Sequence, residues 1–62
     1  MKIYLLEHRQ KKKISTRKLA TLSNVSRAYI IKIEKGESVP TLNILCKLAN
    51  ALEIEVHKLF DC

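Results

Sequence analysis

Apolar positions along the chain recur at helical spacing, and four short breaks divide them into five segments. The first runs from about Lys2 to Lys12, where Leu5, His8, Arg9 and Lys12 share a face. It closes on "KKK" at Lys11–Lys13, cations placed where a helix macrodipole favours them. Ser15 is the N-cap expected for the second segment, with Ile14 before it as a staple. Leu19, Ala20 and Leu22 come next, and Asn24 can take positive φ at the exit. The third segment, "NVSRAYIIKIEKGE", has Ser26 as N-cap and the chain's one glycine, Gly36, as its left-handed stop. Val25, Ile30 and Ile33 point one way; Arg27, Ala28 and Lys32 point elsewhere.

Pro40 disfavours helix at Val39, and Thr41 can cap the next helix. The fourth segment, Leu42 to Leu52, sets Leu42, Leu45, Cys46, Ala49 and Leu52 on one apolar stripe. The fifth, about Glu55 to Phe60, is a short helical turn whose Val56, Leu59 and Phe60 close the core. Strand signal is nearly absent, with few two-residue alternations and no Asn-Gly or Asp-Gly turn. An all-α fold of five helices in a single domain, residues 1–62, is therefore expected. Between Ser15 and Glu34 the linker "SNVS" is too short for comfortable antiparallel packing. A steep crossing of two helices, the helix-turn-helix unit, is the natural solution.

Size narrows the function. A chain of 62 residues buries only roughly 60 % of its unfolded surface, which leaves little room for a ligand pocket beside the core. Paired carboxylates at an active spacing, a Ser/His/Asp set, a phosphate-cradling glycine loop and a metal cluster are all missing, so an enzyme is not expected. Cys46, Cys62, His8 and His57 match no zinc spacing, and the two cysteines suit free thiols in a reducing compartment. No cofactor, metal or small-molecule ligand is evident. No apolar run approaches a membrane span, and "MKIYLLEHRQ" lacks the features of a signal peptide, so a cytoplasmic location is expected.

Charge adds a direction. Residues 1–35 hold ten of the twelve Lys/Arg against only Glu7 and Glu34; residues 36–62 hold Lys47 and Lys58 against four acids. A basic half on a near-neutral remainder is the footprint of a nucleic-acid binder, though a solvated basic surface reads the same way.

"KLA" (Lys18–Ala20), "VS" (Val25–Ser26), Ile30 with "KIEKG" (Lys32–Gly36), Pro40 and "KLANAL" (Lys47–Leu52) stand in a telling order and spacing. Together they resemble the lambda-repressor-like helix-turn-helix family, the Cro and repressor type of phage and bacterial regulators, over Leu5 to Phe60. The resemblance implies a five-helix domain whose third helix, about residues 26–35, lies in the major groove. It also implies a dimer on two half-sites roughly 34 Å apart. On that basis the chain is a sequence-specific regulator, expected to be a repressor, that binds double-stranded DNA at a palindromic operator. The alternative is an antitoxin-like or adaptor module that uses the same fold to bind protein.

The resemblance also assigns residues. Arg27, Ala28, Tyr29 and Lys32 are base-contact candidates; Arg27 can donate two bonds to guanine. Tyr29 could equally cover the core edge, and Lys32 could equally reach phosphate. Lys13, Thr16, Arg17, Ser26 and Lys35 are phosphate-contact candidates, which position the protein without specifying sequence. Glu34 matches a structural salt bridge to Arg9. Several residues depart from the family pattern: Lys13 replaces a glycine, His8 an apolar residue, Thr16 a glutamine and Glu37 a lysine that commonly faces phosphate. Leu22 and Ile31 are apolar where polar residues are usual. Ile31 is open between core edge, thymine methyl and partner contact. Apolar residues of the C-terminal half, Ile44, Val56 and Phe60, are either core or a homodimer contact.

Overall fold

The computed structural model describes residues Met1–Cys62. It contains β1 (Lys2–Ile3), α1 (Leu5–Lys11), α2 (Thr16–Ser23), α3 (Arg27–Glu34) and α4 (Leu42–Leu52). A single 3-10 turn (Val56–Lys58) and β2 (Phe60–Asp61) complete the chain. The expectation of five helices and no strand is corrected in two places. The fifth helix is only a 3-10 turn. The segment expected to open α1 is instead a strand that pairs antiparallel with the last residues, Lys2 opposite Asp61 and Ile3 opposite Phe60. Strands of two residues carry no alternation to detect, and their partners lie too far apart in sequence for a hairpin signal. The pairing is extended by Tyr4, whose backbone N–H donates to the Leu59 carbonyl at 2.7 Å and whose hydroxyl donates to Asp61 Oδ2 at 2.6 Å.

Helix starts are set by the side chains that cap them. Ser15 accepts the Lys18 N–H (3.0 Å), Ser26 the Tyr29 N–H (3.1 Å) and Thr41 the Ile44 N–H (3.2 Å). Each cap satisfies an amide that the helix cannot and contributes about 1 kcal/mol. The exits use left-handed residues: Lys13 (φ 56°), Asn24 (φ 58°), Gly36 (φ 77°) and Glu53 (φ 58°). At Gly36 nothing lies within 4 Å of where a Cβ would sit, so its backbone conformation alone favours glycine.

The core is Leu5, Leu19, Val25, Ile30, Ile33, Leu45, Leu48, Ala49, Leu52 and Leu59, with α2 packed on both α3 and α4. Two apolar residues expected on buried faces lie outside it: Leu22 is 51 % exposed and Leu42 is 61 % exposed. Leu42 is the first residue of α4, at its outer end. On α2 the buried place one turn after Leu19 goes to Ser23, whose hydroxyl donates to the Leu19 carbonyl at 2.7 Å. That local bond makes a buried serine tolerable. His8, at a position the family fills with an apolar group, lies half-buried with Nε2 at 3.1 Å from the Lys58 carbonyl. A carbonyl only accepts, so Nε2 carries the proton and the ring ties α1 to the 3-10 turn. No buried side-chain polar atom lacks a partner. No helix is long and apolar enough to cross a membrane.

Candidate nucleic-acid interface

The helix-turn-helix is formed by α2 and α3, joined through Asn24, Val25 and Ser26. Asn24 reverses the chain with its left-handed backbone, Val25 drops into the core and Ser26 caps α3. The start of α3 is thereby within side-chain reach of the start of α2. Arg27, first residue of α3, donates from Nε to Thr16 Oγ1, on the first residue of α2, at 3.1 Å. That side-chain bond links the N-terminal ends of α2 and α3, and the positive end of a helix favours an anionic partner. The Thr16 contact uses Nε and leaves both Nη groups of Arg27 without a partner in the chain. That is the pair of donors a bidentate guanine contact requires.

The other candidates are spread over the same region. Ala28 and Lys32 are exposed on α3; Lys35 is exposed at its end. Lys13 and Arg17 are exposed on the flanks, Lys13 at the α1 exit and Arg17 in the first turn of α2. Ser26 is exposed; its oxygen accepts the Tyr29 amide, and its hydroxyl proton is free to donate. Tyr29 is half-buried and packs against the core, so its ring faces a different direction from Arg27 and Lys32. Glu37 is exposed, and its amide completes the α3 exit by donating to the Lys32 carbonyl at 2.9 Å.

Behind this face, Arg9 and Glu34 form a bidentate pair. Arg9 Nε donates to Glu34 Oε2 at 2.7 Å and Nη2 donates to Oε1 at 3.1 Å. Arg9 Nη1 donates to the Ile14 carbonyl at 3.0 Å. One guanidinium thus links α1, the α1–α2 turn and the end of α3. The pair is largely covered, with side-chain exposures of 15 % and 10 %. Glu34 would otherwise oppose the α3 macrodipole at its negative end.

Two relationships carry no clear mark in the sequence. The Thr16–Arg27 bond joins a residue expected only as a phosphate contact to one expected only as a base contact. The one signal for it is their shared place at the two helix starts. The Ile14 carbonyl as third acceptor of Arg9 is a backbone group, which no residue type announces.

The helix-turn-helix family model HTH_3 matches residues 5–59. The chain belongs to the Cro/C1-type helix-turn-helix family. It is 40 % identical over 55 residues to the HTH-type transcriptional regulator SlrR of Bacillus subtilis (strain 168), covering 87 % of this chain and 36 % of SlrR. The chain therefore spans about a third of that relative's length. Its fold is similar to the crystal structure of the restriction-modification controller protein C.AhdI from Aeromonas hydrophila. The TM-score is 0.87 at 41 % identity, over 90 % of this chain and 85 % of that one. These relatives are regulators of the family, not enzymes.

Proposed function

We propose that this protein is a transcriptional regulator that binds double-stranded DNA sequence-specifically, with α3 in the major groove. The observation that carries the reading is Arg27, held by Thr16 at the paired helix starts with both Nη groups free. Family membership and the regulator relatives support DNA binding. Base reading falls to Arg27, Ala28 and Lys32, with Tyr29 at the margin because its ring packs on the core. Lys13, Thr16, Arg17, Ser26 and Lys35 meet phosphate. The 62 residues act as one DNA-binding unit in the cytoplasm, and repression comes from occupying a promoter.

The operator is palindromic and the bound species is a homodimer. The longest extent of one copy is 27 Å, short of the roughly 34 Å between successive half-sites, so two copies are needed to cover both. The second copy docks through the C-terminal half. An open cleft of about 550 Å³ lies there between α4 and the 3-10 turn, lined by Cys46, Ala49, Asn50, Ile54, Glu55, Val56 and His57. None of these residues belongs to α2 or α3, so docking there leaves the recognition face free.

Selection of bound sequences from a random duplex pool at about 150 mM salt tests the reading. A two-fold symmetric motif is expected, with half-site centres about one helical turn apart. Enrichment of no sequence, with weak binding abolished by salt, overturns it.

A further inference from the structure

We propose that Ile31 reads DNA directly, by packing against the 5-methyl group of a thymine in each half-site. This rests on the DNA-binding function proposed for α3 and adds a base and a residue to it.

At about 100° per residue, Ile31 lies roughly 40° around α3 from Arg27, with Lys35 at roughly 80°, Ala28 at 100° and Lys32 at 140°. The buried Ile30 and Ile33 lie at roughly 300° and 240°. Ile31 is therefore on the outward face, between Arg27 and Lys35. Packing agrees with the projection. Tyr29, Ile14, Ile44 and other half-buried hydrophobics rest against the core cluster, whereas Ile31, also half-buried, is not among them. Core edge is thus set aside as the reason for an isoleucine here.

Every other outward position of α3 is cationic or small: Arg27, Ala28, Lys32 and Lys35. A partner that covers this face must neutralise cations one turn to either side of Ile31 and still offer it an apolar group. The major groove does both. Its rims are phosphate, and thymine presents the one methyl group among the base edges. Four residues of helix rise separate Arg27 from Ile31 by about 6 Å, so the thymine falls within about two base-pair steps of the guanine that Arg27 reads. A short isoleucine flanked by arginine and lysine suits that juxtaposition. An acidic protein with an apolar pocket is the competing partner, and the test separates it.

The experiment takes the duplex selected from the random pool and replaces each thymine in turn by deoxyuridine, which removes only the methyl group. Binding is measured for the unmodified protein, Ile31→Ala and Leu42→Ala. One thymine position, within two base pairs of the Arg27-dependent guanine, is expected to lose roughly fourfold affinity for the unmodified protein, the worth of about one buried methyl-sized group. Ile31→Ala binds the thymine and deoxyuridine duplexes equally, while Leu42→Ala, an exposed apolar truncation on α4 away from the recognition face, keeps the discrimination. The deoxyuridine comparison on unmodified protein needs no variant, so a folding defect cannot produce the result. Specific binding with no methyl-sensitive position, or sensitivity unchanged in Ile31→Ala, overturns the inference and leaves the DNA-binding reading intact. A pool that enriches nothing overturns both, and leaves the outward isoleucine to a protein partner.

Discussion

Arg9 is the residue on which the scaffold behind the recognition face converges. It holds α3 through both Glu34 oxygens and the α1–α2 turn through the Ile14 carbonyl. Arg9→Ala strands a largely covered carboxylate and is expected to cost about 3 kcal/mol in urea unfolding. Removing Glu34 as well relieves the stranded charge, so Arg9→Ala/Glu34→Ala should be more stable than Arg9→Ala alone. A double variant no better than the worst single one contradicts the pairing. On the outer face, Arg27→Ala should cost about 1–3 kcal/mol of affinity and relax preference at one base pair. Lys35→Ala should weaken all sequences alike and reduce the salt slope by about one. Binding isotherms at several salt concentrations distinguish the two. Arg9 with Glu34 was legible in the sequence because opposite charges stood at positions the family pairs. Thr16 with Arg27 was not, because a threonine hydroxyl has many local partners and only the turn geometry selects this one. Tyr29 was legible only as a choice; the helix register turns its ring toward the core.

At the scale of elements, the exits carry more information than the helices. The ends of α1, α3 and α4 share one hydrogen-bond pattern. Lys13, Gly36 and Glu53 donate to Gln10, Ile33 and Asn50, while Ile14, Glu37 and Ile54 reach back to Arg9, Lys32 and Ala49. This is the Schellman arrangement, which places its central residue at positive φ. Only Gly36 meets that demand without strain; Lys13 and Glu53 hold it with side chains that disfavour it. Lys13→Gly is therefore expected to stabilise the fold by about 0.5–1 kcal/mol, the relieved strain less glycine's chain entropy. The same change should lower DNA affinity if Lys13 meets phosphate as proposed. A thermal melt and a binding titration on one variant check both signs.

The capped helix starts were legible because Ser15, Ser26 and Thr41 bring their own acceptors. Glu53 was not, because glutamate gives no sign of left-handed backbone. Neither was β1–β2, where pairing is set by the ends of the core meeting rather than by any local pattern. That pair has a pH signature. The Asp61 carboxylate that accepts the Tyr4 hydroxyl proton holds Tyr4 above its ordinary value, with partial burial and the Asp61 and Glu7 charges adding to the shift. A raised folded pKa means stability present below pH ~10 and lost as pH climbs through the folded value. Tyr4→Phe should lack this part of the alkaline loss, which unfolding midpoints measured on either side of pH ~10 would reveal.

For the whole molecule, the division of charge in the chain becomes an enrichment of cations on one side of the fold. Lys13, Arg17, Lys18, Arg27, Lys32 and Lys35 are exposed on α2, α3 and their flanks, whereas the only lysines or arginines exposed on α4 and the 3-10 turn are Lys47 and Lys58. The α4 cleft carries Glu55 and His57, 3.4 Å apart and both well exposed, a contact of little energetic weight. Asn50 is exposed and lines this cleft. Asn50→Arg is expected to turn the proposed dimer into a monomer in analytical ultracentrifugation. It should weaken binding to the full palindrome and leave binding to a single half-site unchanged. The helix-turn-helix and its basic half could be read from the chain because spacing and charge are local quantities. Which apolar residues the C-terminal half keeps for its own core depends on three-dimensional packing: Leu59 is fully buried, while Val56 and Phe60 remain half-buried at its edge. Amide chemical-shift mapping on titration with the selected duplex tests most directly whether α3 is the DNA-reading helix. The largest shifts are expected at Thr16–Lys18 and Arg27–Lys35. Shifts concentrated at Cys46–His57, with α3 undisturbed, would contradict that role.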